Sequence, residues 1–214
     1  VTSRTEEEEL AMIRDWWQRN GKPLLTGCVL ALVLIFGWKG WQNYQASQAQ
    51  TASMLYQQLL DSVITDNGQA DLQQVAALAG NLQKDFAGSQ YAQYGSLLVA
   101  KVAVEAGKPE DAVIQLQGVL EKPADATLAE LARQRLARVQ ASQGNAEEAL
   151  KLLDGPVEPA FQAGREELKG DLLVQLGRTD EARAAYEKAQ QALPADAAAG
   201  GVQLKLDDLA QKDE

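Results

Sequence analysis

Between Pro23 and Trp38 the sequence carries no charged side chain. A run of this kind must be hidden from water, either inside a protein core or inside a lipid bilayer. Pro23 to Trp41 is 19 residues, and as a helix it would reach roughly 28 Å, close to the hydrocarbon thickness of a membrane. Lys39 sits one turn from the end, where its stem can carry the ammonium outward. Pro23 suits a first helical turn, in which its missing N–H costs nothing. Trp16 and Trp17 precede the run, and Trp38, Trp41 and Tyr44 close it. Amphipathic aromatics at both ends are favoured by the two membrane interfaces. A buried soluble helix explains the apolarity but not the two aromatic clusters, so the run is expected to be a transmembrane helix over 23–41. It follows 22 residues that include four consecutive glutamates, and it leads into Gly37-Trp38-Lys39-Gly40-Trp41 rather than a small-residue cleavage site. Retention as an anchor is therefore expected, not removal as a signal peptide.

The flanks set the expected orientation. Arg14, Arg19 and Lys22 crowd the N-terminal side, whereas no Lys or Arg occurs between Lys39 and Lys84. The positive-inside rule places residues 1–22 in the cytoplasm and everything after the span on the other side. The segment from Glu9 to Trp17 puts Leu10, Ile13 and Trp17 on one helical face and is expected to lie along the membrane surface. Gly27 and Ala31 form a small-xxx-small pair, and Gly37 and Gly40 flatten a second patch. These four are candidates for close contact with a partner helix.

Charge and missing residue types narrow the function. The chain has 20 basic and 30 acidic residues, a net charge of −10. The first 45 residues balance, five of each sign, so the whole deficit lies in 46–214. Such a surface repels nucleic acid and anionic lipid headgroups. There is no histidine, and the one cysteine, Cys28, lies inside the apolar run. No disulfide within the chain and no His/Cys metal site can be built. Neither a catalytic constellation nor a cofactor site is expected.

Beyond the span the sequence repeats itself. Gly107-Lys-Pro-Glu-Asp-Ala112, Gly144-Asn-Ala-Glu-Glu-Ala149 and Gly177-Arg-Thr-Asp-Glu-Ala182 share the form Gly-x-x-acid-acid-Ala, at spacings of 37 and 33 residues. Each is flanked by helical runs and marks a turn between two helices. Glycine ends the first helix because it takes the left-handed conformation cheaply. The acids then enter the first turn of the second helix, where they favour its dipole. They have no acid, base or metal partner and are structural. The spacing resembles the tetratricopeptide repeat. Twelve residues before each turn alanine that pattern wants a small residue, and the chain has Ala100, Ala137 and Gly170. Tyr186, Ala189 and Pro194 extend the match in the third repeat; Leu116, Val119 and Pro123 do so less well in the first. In the second, Gly155-Pro156 cuts the second helix short after Leu153.

Two further stripes precede these repeats. Ala49, Ser53, Tyr56, Leu60 and Val63 line one face of 42–65, expected to continue the membrane helix after a short break. Leu72, Val75, Leu78, Ala79 and Leu82 line another helix after an Asp66-Asn67-Gly68 turn. The expected fold is all-α: a single N-terminal transmembrane helix followed by a tetratricopeptide-repeat-like α-solenoid. Its parts are a linker helix and atypical first repeat over 42–90, repeats over 91–194, and a flexible link with a capping helix over 195–214. First helices of such repeats line the inner wall that binds extended peptide or a partner helix. By register that wall carries Leu97, Gln134 and Glu167, then Lys101, Arg138 and Asp171, with Tyr94 nearby.

The order of features gives a resemblance over essentially the whole chain. An acidic start, an aromatic pair, Asn20-Gly21-Lys22, one span, Gly37-Trp38-x-x-Trp41, a Gln-rich helix and degenerate repeats resemble the YfgM family of ancillary subunits of the SecYEG protein-export translocon. The resemblance implies an inner-membrane protein with its repeats in the periplasm. It also implies SecYEG and a membrane-anchored PpiD-like chaperone as partners, and newly exported polypeptides as clients. Alternatives from the residues alone are an envelope-assembly scaffold, a cytosolic regulatory adaptor and, disfavoured by the missing histidine, an enzyme.

Overall fold

The computed structural model describes residues 6–64, 70–194 and 200–212, and these are helical apart from turns and short connections. They fall into two units, one ending at Thr51 and the other starting at Ala52. Helix α1 spans Glu6–Val63. Within the first unit, Leu25, Val29, Leu30, Val33, Leu34 and Phe36 are all exposed. The apolar stretch is therefore not the core of a soluble domain: it is long and apolar enough to cross a membrane and none of it is buried. Pro23 lies inside α1 rather than in its first turn. The residues before it are helical too, so the Arg19 carbonyl loses its usual donor. Leu10, Ile13 and Trp17 belong to the same helix and are exposed. No break precedes the segment from Gln42 onward.

The second unit begins with the last turns of α1. In these turns Ala52 and Leu59 are fully buried, with Leu55, Tyr56 and Val63 partly buried beside them, a face turned slightly from the Ala49–Leu60 stripe. Then follow α2 (Leu72–Phe86), α3 (Gln90–Glu105), α4 (Pro109–Glu121), α5 (Ala126–Ser142), α6 (Ala146–Leu152), α7 (Pro159–Gln175), α8 (Thr179–Ala192) and α9 (Gly200–Lys212). The Asp66-Asn67-Gly68 turn lies outside the described residues, as does the 195–201 link except Gly200 and Gly201, which open α9. Starts are written locally. Asp71 accepts from the Gln73 amide at 2.8 Å and Asp125 from the Leu128 amide at 2.7 Å, while Pro109 and Pro159 occupy first-turn positions.

The three repeat turns share one geometry. Gly107, Gly144 and Gly177 have φ of 70°, 87° and 72°. The following amides of Lys108, Asn145 and Arg178 donate back to Ala103, Gln140 and Leu173 carbonyls at 2.8, 3.0 and 2.9 Å. This is a Schellman closure, which needs a left-handed residue and so a glycine. The cores stack in series: α1 end, α2 and α3; then α3, α4 and α5; then α5, α6 and α7; then α7, α8 and α9. Each helix pair buries its apolar stripe against its neighbours, the layout of a solenoid.

Candidate protein-docking surface

The first helices α3, α5 and α7 carry the register positions named above, and they do not all reach one surface. Leu97 is buried in the core with Ala100, Ala103 and Leu116. Gln134 is buried as well, its amide donating to Glu130 at 3.0 Å. Glu167 and Asp171 are half-buried and both hold the Lys205 ammonium of α9, at 2.7 and 2.6 Å. Tyr94, Lys101 and Arg138 lie on a more open patch. Tyr94 packs with Tyr56 and Tyr91, ring centroids 5.9 and 6.4 Å apart. Lys101 and Arg138 line a pocket of about 330 Å³ between α3 and α5.

Two residues outside the expected inner wall complete this patch. Tyr56, from the end of α1, has its phenol pushed up by burial and by Tyr94, with Arg135 pulling the other way. Arg135 also lines the pocket and reaches the Leu97 carbonyl at 3.5 Å. Its guanidinium is held below the usual arginine range by burial and by the neighbouring Arg138 charge. No acid pairs with Arg135 or Arg138 among the described residues, and Lys101 has only Glu105, at 3.6 Å.

At the other end the face is self-neutralised. The Tyr186 hydroxyl donates to Asp171 at 2.8 Å, and burial and the Asp171 carboxylate together push its phenol well up. Burial would lower the Lys205 ammonium, but hydrogen bonds to Asp171 and Glu167 outweigh it and raise it. Lys205 follows Asp171 by one repeat length, 34 residues, so it continues the Lys101, Arg138, Asp171 row. That spacing was the available signal for it.

The strongest buried polar group lies between α5 and α7. Arg165 and Glu130 are almost fully buried and ion-paired. Arg133 adds a second bond to Glu130 at 2.8 Å. Arg165 also donates to the carbonyls of Leu153, Gly155 and Pro156, at 3.3, 3.0 and 3.4 Å. Burial alone would raise the Glu130 carboxyl, but hydrogen bonds from Arg165, Gln134 and Arg133 override it and hold it at about 2. The group is structural, because its donors and acceptors are used up internally. Among the described residues no three His, Cys, Asp or Glu side chains converge to hold a metal ion.

On the first unit, Trp16, Trp17, Trp38, Trp41 and Tyr44 are all at least half exposed, and the Trp38 and Trp41 rings stand 5.8 Å apart. A Cβ added at Gly27, Gly37 or Gly40 would meet open space; Ala31 is likewise exposed.

A family model described as a tetratricopeptide repeat-like domain matches residues 14–211. Relatives named ancillary SecYEG translocon subunit align over most of the chain. The Haemophilus influenzae protein is 32% identical over 186 residues, 87% of this chain and 89% of the relative. That of Escherichia coli is 29% identical over 204 residues, 95% and 96%. That of Neisseria gonorrhoeae is 30% identical over 205 residues, 95% and 97%.

Proposed function

Because the chain belongs to the YfgM family of ancillary SecYEG translocon subunits, we propose that it is a noncatalytic adaptor of the inner membrane, anchored by α1 beside the translocon. Residues 1–22 lie in the cytoplasm and the repeats in the periplasm, as the basic N-terminal flank favours. There the repeats dock a PpiD-like membrane-anchored chaperone and assist newly exported chains. The observation that carries this reading is one chain joining an uncovered membrane-length apolar stretch to tetratricopeptide-like repeats, with relatives of that name aligning across both.

The anchor's contribution is proximity. A short tether gives an effective concentration on the order of millimolar, so weak contacts suffice. Gly27, Ala31, Gly37 and Gly40 are the proposed helix contact; Trp16, Trp17, Trp38, Trp41 and Tyr44 fix its depth. Tyr94, Lys101, Arg138 and their neighbours form the open docking patch. Photocrosslinkers placed one at a time at positions 27, 31, 37, 40 and 94 in intact cells test this. Adducts to SecYEG from the span, and to a membrane chaperone or exported chains from position 94, are expected. Cleavage of the repeats by protease added to spheroplasts checks the orientation. Protection of the repeats, or adducts only to unrelated envelope proteins, would defeat the reading.

A further inference from the structure

The pocket between α3 and α5 has a composition that its surroundings do not share. The chain is acidic, with a net charge of −10, yet three cations, Lys101, Arg135 and Arg138, line this one cavity against a single acid, Glu105, which pairs with Lys101 at 3.6 Å. The two guanidiniums repel each other, and among the described residues neither is ion-paired, unlike Lys205 at the other end of the same face. The floor is apolar, built from the buried Leu116 and Val139, with Val104 exposed at the edge. A cavity of about 330 Å³ has room for one large apolar side chain. Beside it stand the three packed tyrosines, whose rings offer flat apolar area and whose hydroxyls can meet a peptide backbone.

We propose that this pocket docks an extended, acidic polypeptide segment: an apolar side chain fills the cavity while flanking carboxylates pair with Arg135, Arg138 and Lys101. Charge complementarity selects that occupant. A basic segment would add repulsion to an existing cationic cluster, and a neutral one would leave the guanidiniums unpaired. This rests on the reading of the repeats as a docking surface and names the chemistry of what docks.

The test uses the full chain in nanodiscs of neutral lipid and a short fluorescein-labelled peptide in which glutamate alternates with leucine. Saturable anisotropy is expected, with the lysine–leucine and glutamate–serine versions binding at least about tenfold more weakly. Arg138→Glu, at an exposed position, should weaken binding about tenfold or more and leave the thermal midpoint unchanged. Equal binding of the lysine–leucine peptide, or unaltered binding by Arg138→Glu, overturns the proposal. So does self-association that Arg138→Glu removes in the absence of peptide binding, because the occupant would then be a second copy. Peptide binding lost with Arg138→Glu supports the pocket whether or not the chain co-purifies with SecYEG. Co-purification without peptide binding overturns the pocket alone.

Discussion

After its turn glycine the third repeat runs a second helix of 14 residues, whereas the second repeat stops after 7. The two must bury comparable first helices, and they do it with different chemistry. In the third, Tyr186 lies over Gly170 and the Ala182, Ala185 and Ala189 face closes the core. In the second, α6 stops at Leu152, Gly155 at φ 93° and Pro156 turn the chain away, and the carbonyls exposed by that exit need donors. Arg165 supplies them from α7 and is itself neutralised by Glu130 from α5. A truncated helix has been replaced by a guanidinium clasp. Degeneracy in a repeat array is tolerable when a side chain takes over what backbone turns did.

The clasp should carry more of the stability of the second repeat than any other single contact in it. Arg165→Ala takes from the buried Glu130 carboxylate its fully buried cationic partner, leaving only Arg133 and Gln134, and strips three carbonyls of their donor; it should cost about 3–5 kcal/mol. Urea unfolding with an unchanged slope would measure it. The double variant Glu130→Leu with Arg165→Met removes both buried charges, and an ordinary buried ion pair would then recover fully. Here recovery should be partial, with about 1–3 kcal/mol still missing, because the carbonyls of Leu153, Gly155 and Pro156 remain unserved and the buried Gln134 amide loses its acceptor. Complete recovery would mean that the clasp is only an ion pair.

Acid probes the same group more gently. The Glu130 carboxyl is lowered from 4.5 to about 2 in the folded chain. A depressed acid stabilises the fold above its unfolded pKa, and that contribution fades as pH falls through the folded one. About 3 kcal/mol should therefore be lost between roughly pH 4.5 and 2. Other carboxylates titrate in that window, so the readout is the difference from Glu130→Gln, whose stability should fall less steeply there. Parallel profiles would remove Glu130 from the account.

These differences were unequally legible. The three glycine turns, the small residues at Ala100, Ala137 and Gly170 and the truncation at Gly155-Pro156 are local signals, because each is fixed by φ, by a missing N–H or by side-chain size at one position. Glu130 and Arg165 stand 35 residues apart and read as solvated charges on polar helix faces. Only the fold makes them partners. The docking face was partly legible for a related reason. Repeat register finds Tyr94, Lys101 and Arg138, but register is blind to burial. It selected Leu97 and Gln134, which point inward, and omitted Arg135, one position beyond Gln134, and Tyr56 on a helix assigned to the linker. Pro23 misled in the opposite sense: it suits a first turn, yet α1 runs through it.

The smallest effect bears on the regular repeats themselves. Residues 100 and 116, 137 and 153, and 170 and 186 are matched pairs sixteen apart in sequence. The first two are Ala with Leu, packed in the cores of their own repeats; the third is Gly with Tyr. A Cβ on Gly170 would overlap the Tyr186 ring, so Gly170→Ala should cost about 1–3 kcal/mol through forced displacement of the ring and its bond to Asp171. Gly80→Ala, where the added carbon meets nothing, should stabilise by up to about 1 kcal/mol and controls for helix propensity. Gly170→Ala combined with Tyr186→Leu rebuilds the pair used by the other two repeats. If the repeats share one packing rule, the double variant should be more stable than Gly170→Ala alone, a non-additivity of about 0.5–3 kcal/mol in thermal or urea unfolding. If the two changes simply add, the Tyr186 ring is held by something other than the space above Gly170, and the Asp171–Lys205 contacts at the end of the array become the term to remove next.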